Sequence, residues 1–481
     1  MRKKVIFLKN YLLLIYRFDN LGFLPMKYYK LLTLLAFLFL LQNCKKEIEP
    51  DPIIPPDPTI PLVPPSSDAA IKWGAMTLKT MTKLDKTTPT YGSRALGYLG
   101  LSMYETVVNG SKKHVSMAMQ LTNLGNLPKP TPGVSTNYII AMNAGQAFML
   151  KKLFDYADAA RITSIDSLEM VILNENRGGL TQAEVDRAIY YGKSVAGAIY
   201  EWSQTDGGHL GYQRNFEPTY KFPSGSSYWQ PPINGQVVSP YPLHPFWGQN
   251  RTFSPENKNI ATPEMLPFSR VMTSDYFKMM EEVYQSNSRL SQAEKEIAAW
   301  WGDDPTESFT PPGHSYSIAN QVVKQSKSDI FAAAEIYARV GMAVADAFVN
   351  CWKAKYKYHC ERPSTYIRAN INPSFVQFWP EPPFPAFYSG HSVQGASSAT
   401  VLEDLLGSNY AFTDSSHVGR EKDFIRNIDY KVRKFNSFWE AAEESAMSRF
   451  YGGIHTKLDN QVGLLEGKKI GKNINQLKWR K

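Results

Sequence analysis

Three short segments in the last third of the chain combine residue types that can hold an anion and move a proton beside it. The first is Trp352-Lys-Ala-Lys355-Tyr-Lys-Tyr-His-Cys-Glu-Arg362-Pro363. Read as one helix, seven residues are close to two turns, so Lys355 and Arg362 would share a face about 10 Å apart along the axis. Both long side chains could then converge on one small anion, with Pro363 ending the helix or bending the chain away. The second is Pro382-Pro-Phe-Pro-Ala-Phe-Tyr-Ser389-Gly390-His391. Here Gly390 permits a tight backbone, Ser389 caps a helix, the free N–H groups of that helix start make an anion nest, and His391 stands at its rim. The third is Ser448-Arg449-Phe-Tyr-Gly452-Gly453-Ile-His455-Thr-Lys-Leu-Asp459. Arg449 closes a helical stretch, Gly452-Gly453 forces a turn and His455 opens the next segment. Asp459, one turn on, is placed to accept from the His455 ring N–H and fix its tautomer.

Three fixed cations, neutral backbone donors and two histidines suit a tetrahedral oxyanion that becomes five-coordinate. Cations and N–H groups would meet the equatorial oxygens, one histidine would serve as apical ligand or nucleophile, and the other would donate a proton. The set does not suit zinc or magnesium. Each fragment alone is weak, since a Lys-Arg pair is usually a solvated face; order and spacing together make the signal. Phe222-Pro-Ser-Gly-Ser226 repeats the Ser-Gly turn without the histidine and so lacks the proton-carrying group.

These segments resemble the vanadium-dependent haloperoxidases and the type 2 phosphatidic acid phosphatases that share their site. The family pattern is Lys, six residues, Arg-Pro; then Pro-Ser-Gly-His; then Ser-Arg, five residues, His, three residues, Asp. Only Tyr388 departs, standing where the family has proline before the serine. Arg94-Ala-Leu-Gly-Tyr-Leu-Gly-Leu-Ser-Met-Tyr-Glu105, Trp300-Trp-Gly-Asp-Asp304 and Pro311-Pro-Gly-His314 look like further family segments. The resemblance therefore covers most of residues 68–481 and implies an α-helical domain of two four-helix bundles. It also implies that Lys355, Arg362, Ser389, Gly390 and Arg449 hold the oxygens of vanadate or phosphate, that His455 binds vanadium or attacks phosphorus, and that His391 is the acid/base.

In the peroxidase reading the cofactor is vanadate, hydrogen peroxide and halide are the substrates, Lys355 polarises the bound peroxide, and hypohalous acid is the product. Trp352 and Phe384 match aromatic positions near the family's halide pocket, against the plain alternative that both are core aromatics. In the phosphatase reading the substrate is a phosphomonoester, no cofactor is needed and His455 becomes a phosphohistidine. A third reading is a lipoprotein that binds an oxyanion without turnover, which the intact set of three cations and two histidines argues against, because a binding module needs no acid/base partner.

The elements that must position these residues are helical. Apolar residues recur at helical spacing over 69–84, 94–108, 137–157, 160–174, 181–205, 274–286, 291–301, 318–356, 391–406 and 439–449. Alternating runs are scarce, which predicts an all-α bundle architecture without internal repeats. Residues 206–264, rich in Gly, Pro, Trp and Tyr, break the pattern and are expected to wall or cap one end of the bundle.

The chain has 481 residues, 43% hydrophobic and 13% aromatic, enough for a large core. Its formal charge of +9 is concentrated at the start: up to Cys44, seven Lys/Arg face Asp19 alone, a surplus of +6 that leaves +3 for the rest. A nucleic-acid partner is therefore not expected. Met26-Lys-Tyr-Tyr-Lys30, the apolar run to Leu41 and Gln-Asn-Cys44 read as an export signal starting at Met26, in which Cys44 of a loose lipobox carries a lipid anchor. Residues 45–67, with eight prolines from Pro50 to Pro65, read as an extended tether to a folded domain spanning 68–481. The protein is expected to be exported and lipid-anchored to a bacterial membrane, with the folded domain in the periplasm or at the cell surface. Cys351 and Cys360 leave one bridge or two buried thiols open. His114, His209, His244, His314, His359 and His417 have no companions at metal-ligand spacing and are assigned to surface or loops, with His359 the likeliest exception because it lies between Lys355 and Arg362.

Overall fold

The computed structural model describes residues 65–305 and 307–481. The signal segment with Cys44, and the tether up to residue 64, lie outside the described residues. Among the described residues, fourteen α-helices are joined by irregular connections. They are α1 (Asp68–Met81), α2 (Pro89–Val107), α3 (Tyr138–Leu153), α4 (Ala159–Asn176), α5 (Gln182–Ser203), α6 (Pro255–Lys258), α7 (Asp275–Asn287), α8 (Gln292–Trp300), α9 (Thr310–Ser326), α10 (Ile330–Tyr358), α11 (Pro363–Asn370), α12 (Gly390–Leu406), α13 (Phe438–Tyr451) and α14 (Lys457–Asn475). The sheet content among the described residues is one antiparallel pair, β1 (Phe412–Asp414) with β2 (Arg433–Phe435). The all-α expectation holds.

Side-chain caps set where several helices begin. Thr88 accepts from Tyr91 N ahead of Pro89 in the first turn of α2, and Asp329 accepts from Phe331 N and Ala332 N at α10. Thr181 with Glu184, Ser291 with Glu294 and Thr456 with Asp459 form reciprocal capping boxes at α5, α8 and α14.

Two bundles meet along the packing of α2 on α10. The N-terminal bundle groups α2, α3, α4 and α5, flanked by α1 and α9; the C-terminal one groups α10, α12, α13 and α14. Every residue of α2 is buried, which marks it as the element both bundles share. Apolar side chains from both bundles form one continuous core. No described helix is long and apolar enough to cross a membrane.

Three sequence expectations need correction. The helix expected over 318–356 is two helices: Lys327 takes a left-handed backbone (φ 49°), and Asp329 caps a new start. Apolar spacing runs through the break because both helices present the same face to the core. Lys355 and Arg362 do not share a helix: α10 ends at Tyr358, His359 adopts a left-handed backbone (φ 50°), and Arg362 is the N-cap of α11. Pro363 therefore starts a helix instead of ending one. The third concerns His314, which is buried within α9 and neither on the surface nor in a loop, whereas His244 and His417 do lie in loops, though buried. His359 is no site residue: its Nε2 meets Tyr220 Oη at 2.5 Å. Cys351 and Cys360 are both free and buried.

Candidate active site

His391, Arg449 and His455 line one cavity, together with Gly390, Trp352 and Phe384. Three chain segments converge there. Ser389 is the N-cap of α12 and accepts from Ser392 N at 3.4 Å, so the next residues, Gly390 and His391, open the helix with N–H groups that have no carbonyl behind them. Gly453 (φ 74°) turns the chain after α13, placing His455 just before the Thr456 cap of α14.

The His455 ring is held at both nitrogens. Nδ1 donates to Asp459 Oδ2 at 3.0 Å, and Nε2 lies 3.0 Å from Arg362 Nη1, which can only donate. The lone pair of His455 is thus on Nε2. Asp459 is fixed in turn by Thr456 N, 3.2 Å away. Burial, with Arg362, Lys355 and Arg449 nearby, holds His455 well below the usual imidazole range and hence neutral. His391 Nε2 lies 2.9 Å from the Trp301 carbonyl, which only accepts, so Nε2 carries the ring proton and Nδ1 the lone pair. Burial and then Arg449 keep His391 well below its usual range as well.

The cations sit at different depths. Arg449 Nη2 donates to the Ala298 carbonyl at 2.6 Å and Nε to Ser448 Oγ at 2.9 Å, whereas Nη1 is buried without a partner. Arg362 is tied to the carbonyls of Phe384 and Ile454 as well as to His455. Lys355 Nζ donates to Pro385, Ala386 and Tyr388 carbonyls at 3.0, 2.7 and 2.7 Å, and so holds the loop that leads into Ser389. Lys355, Arg362 and Ser389 lie behind the cavity lining, not on it. Burial lowers Lys355 to about 8, and both Arg362 and Arg449 to about 10. Trp352 and Phe384 pack with centroids 4.8 Å apart, and Lys355 Nζ lies 5.2 Å from the Phe384 ring. The Phe387–Tyr388 peptide bond, at the family's proline position, is cis.

Sequence reasoning missed the wall opposite α12. Asp303 and Asp304 follow α8, and Gln236 belongs to the irregular 206–264 segment; all three line the cavity. Gln236 Nε2 donates to Asp304 Oδ1 at 2.6 Å and Trp379 Nε1 to the same oxygen at 3.3 Å. Burial, opposed by Arg449, pushes the Asp304 carboxyl up to about 7. The signal was present in the run Trp300-Trp-Gly-Asp-Asp304, recognised as a family segment but given no role. The expectation that 206–264 walls the bundle is met by Gln236 and by the Leu243 carbonyl, which accepts from Trp352 Nε1 at 3.2 Å.

The family model described as the VCPO second helical-bundle domain matches residues 335–381 and 372–480, the stretch carrying all three motif segments. The chain belongs to the vanadium haloperoxidase and type 2 phosphatidic acid phosphatase superfamily. A vanadium chloroperoxidase of Curvularia inaequalis is 23% identical to this superfamily member over 279 residues, 45% of this chain and 46% of the relative's length. The match therefore spans under half of that relative. The crystal structure of the first bacterial vanadium-dependent iodoperoxidase is similar with a TM-score of 0.75 and 27% identity, covering 88% of this chain and 98% of that one. A holo-type bacterial vanadium-dependent chloroperoxidase shares the fold, with a TM-score of 0.65 at 15% identity over 87% of this chain and 98% of that one.

Proposed function

We propose that the protein is a vanadate-dependent haloperoxidase that oxidises halide with hydrogen peroxide to hypohalous acid. The observation that carries this reading is one cavity lined both by His455, whose lone pair Asp459 fixes on Nε2, and by Arg449, whose buried Nη1 has no partner. Vanadate fits on two counts: Arg449 Nη1 lacks an acceptor, and a Cβ on Gly390 would meet no atom within 4 Å, leaving room for an oxyanion over the start of α12. When bound, vanadate would supply a Lewis-acidic centre that activates hydrogen peroxide toward halide.

His455 would be its ligand through Nε2, with Arg362 giving up its present hydrogen bond there. Arg449 and the backbone N–H groups of Gly390 and His391 would meet the oxygens, with Ser389 capping the helix start behind them and Lys355 supplying charge from behind the loop it holds. His391 Nδ1 takes and returns the proton, because Nε2 is committed to the Trp301 carbonyl. Trp352 and Phe384 make the apolar side of the cavity where a weakly hydrated halide can sit. Iodide is the first halide to test, since a similar structure at 27% identity is named an iodoperoxidase. Export and lipid anchoring at Cys44 belong to the same reading; fatty-acid labelling that survives Cys44→Ser rules the anchor out.

The deciding experiment incubates the full chain with orthovanadate, hydrogen peroxide and iodide, bromide or chloride in turn, beside a phosphomonoester assay without vanadate. Halide oxidation that requires vanadate and is lost in Lys355→Ala and His455→Ala supports the proposal. Phosphate release inhibited by vanadate, without halide oxidation, replaces it with the phosphatase reading and leaves His455 as the nucleophile. Vanadate binding with neither activity leaves an oxyanion-binding protein.

A further inference from the structure

Behind the cavity wall lies a second cluster of side chains that the proposed reaction does not use. Asp303, His314 and His417 come from the turn after α8, the first turns of α9 and the loop after β1, and one ligand atom from each falls within 4.8 Å of the others. All three are buried, at 1%, 0% and 3% side-chain exposure. We propose that they form a site for one divalent transition-metal cation of the zinc or cobalt class.

Two observations beyond proximity point to a ligand. First, His417 Nε2 is buried and has no hydrogen-bond partner; it lies 3.1 Å from Asp303 Oδ1, but off the line of an N–H bond. Second, His314 is prepared by an outer carboxylate. Its Nε2 meets Asp414 Oδ2 at 2.8 Å, and Asp414 also accepts from Trp300 Nε1 at 2.8 Å and from Ser416 N at 3.0 Å, so it is a pure acceptor. His314 Nε2 therefore carries a proton, and Nδ1 is the atom turned to Asp303 Oδ2, 2.6 Å away. A carboxylate that holds the far nitrogen of a histidine whose near nitrogen meets a cation is the usual outer shell of a protein metal site.

The donor set selects the ion. Two imidazoles and one carboxylate suit zinc, cobalt or nickel, whereas calcium and magnesium take oxygen donors. Against burial, Asp303 and Asp414 raise His314 to about 10, so without an ion it keeps a second proton; ligation needs both imidazoles neutral, and the two negative charges then left on the carboxylates are cancelled by one divalent cation. On binding, the lone pairs of His314 Nδ1 and His417 Nε2 and one Asp303 oxygen enter the coordination sphere, and any second proton on His314 leaves to solvent. The ion would pin the turn from which the Trp301 carbonyl holds His391, so its role is positional; the proposal does not depend on which reaction the cavity performs.

The test uses the untagged full chain. Elemental analysis after purification without chelator should find about one zinc-class ion per chain. After chelation, titration with Co2+ should give visible absorption bands of a nitrogen- and oxygen-ligated ion, displaced by Zn2+. His417→Gln should weaken Co2+ affinity at least tenfold, and Asp414→Asn roughly 10–100-fold. No bound metal and no Co2+ bands in the wild-type chain overturn the proposal, and mean that a second proton on His314 fills the gap instead. Bands of unchanged affinity in folded His417→Gln overturn it too, since the ion then sits elsewhere. The wild-type measurement decides the question even if neither variant folds.

Discussion

His455 shows how one side chain's usefulness depends on its neighbours. Asp459→Asn keeps the shape but can turn an amide N–H toward Nδ1, removing the preference that leaves the lone pair on Nε2. Vanadate affinity should fall roughly 10–100-fold with little change in Tm, read by calorimetric titration. Gly390→Ala is the complementary change: its backbone needs no left-handed conformation and the methyl has room, so folding should be neutral or slightly favoured by about 0.4–1 kcal/mol. The methyl would occupy the space over the helix start, and vanadate affinity should drop without loss of circular dichroism. Lys355 gives a signed pH dependence. Its charge is complete below about 8 and lost above, so oxyanion affinity should weaken as pH rises through 8. Stability should move the other way: an unfolded lysine keeps its proton to about 10.4, so the folded state binds fewer protons between those values and gains stability with rising pH. Affinity and Tm measured from pH 7 to 10 should therefore diverge, and a parallel fall of both would remove Lys355 as the cause. At this scale the sequence was informative because side-chain chemistry is carried by residue identity. The posture of Lys355, with its three proton donors spent on loop carbonyls, depends on a fold that spacing cannot reveal.

Helices α12 and α14 bring together His391, in the first turn of α12, and His455, just before the α14 cap, only because their backbones approach closely. Gly463, Gly467 and Gly471 recur every four residues on α14. A Cβ at Gly463 would lie 2.7 Å from Ser392 Cβ, one at Gly471 2.6 Å from Thr400 Cβ, and one at Gly467 would strike the Val393 carbonyl. Gly467→Ala should cost about 1–3 kcal/mol by overpacking and lower Tm, while an exposed alanine elsewhere on α14 should not. That stripe also explains why apolar periodicity speaks weakly over 457–475: the helix packs by lacking side chains, and a pattern search rewards their presence. The opposite error occurred over 318–356, where two helices share a core face and the break at Lys327 leaves the apolar spacing intact. Lys355 and Arg362 were misplaced for a related reason, since the left-handed His359 that ends α10 carries no glycine to announce it.

The unit from Pro64 to Lys481 is a single compact body whose bundles share α2 and α10. One cooperative thermal transition is expected, and orthovanadate at 100 times its Kd should raise stability by about 2.7 kcal/mol, moving both bundles' signals together. Separate transitions would show that the seam does not couple them. Helical class and motif residues were legible in the sequence, but the opposite wall was not, because Gln236, Asp303 and Asp304 reach the cavity from segments far from the motifs and through turns rather than periodic elements. Under the proposed reaction, the two buried thiols bear on how long the protein would last beside hypohalous acid. Burial pushes Cys351 up to about 11 and Cys360 up to about 12, so neither is a thiolate at neutral pH, and neither meets an oxidant escaping into solvent. Among the described residues the sulfur that such an oxidant reaches first is thioether: Met119 and Met272 are 73% and 71% exposed. Wear during turnover should accordingly be recorded as sulfoxide at those two positions, on the outer surface and repairable, while the thiols behind the cavity stay reduced.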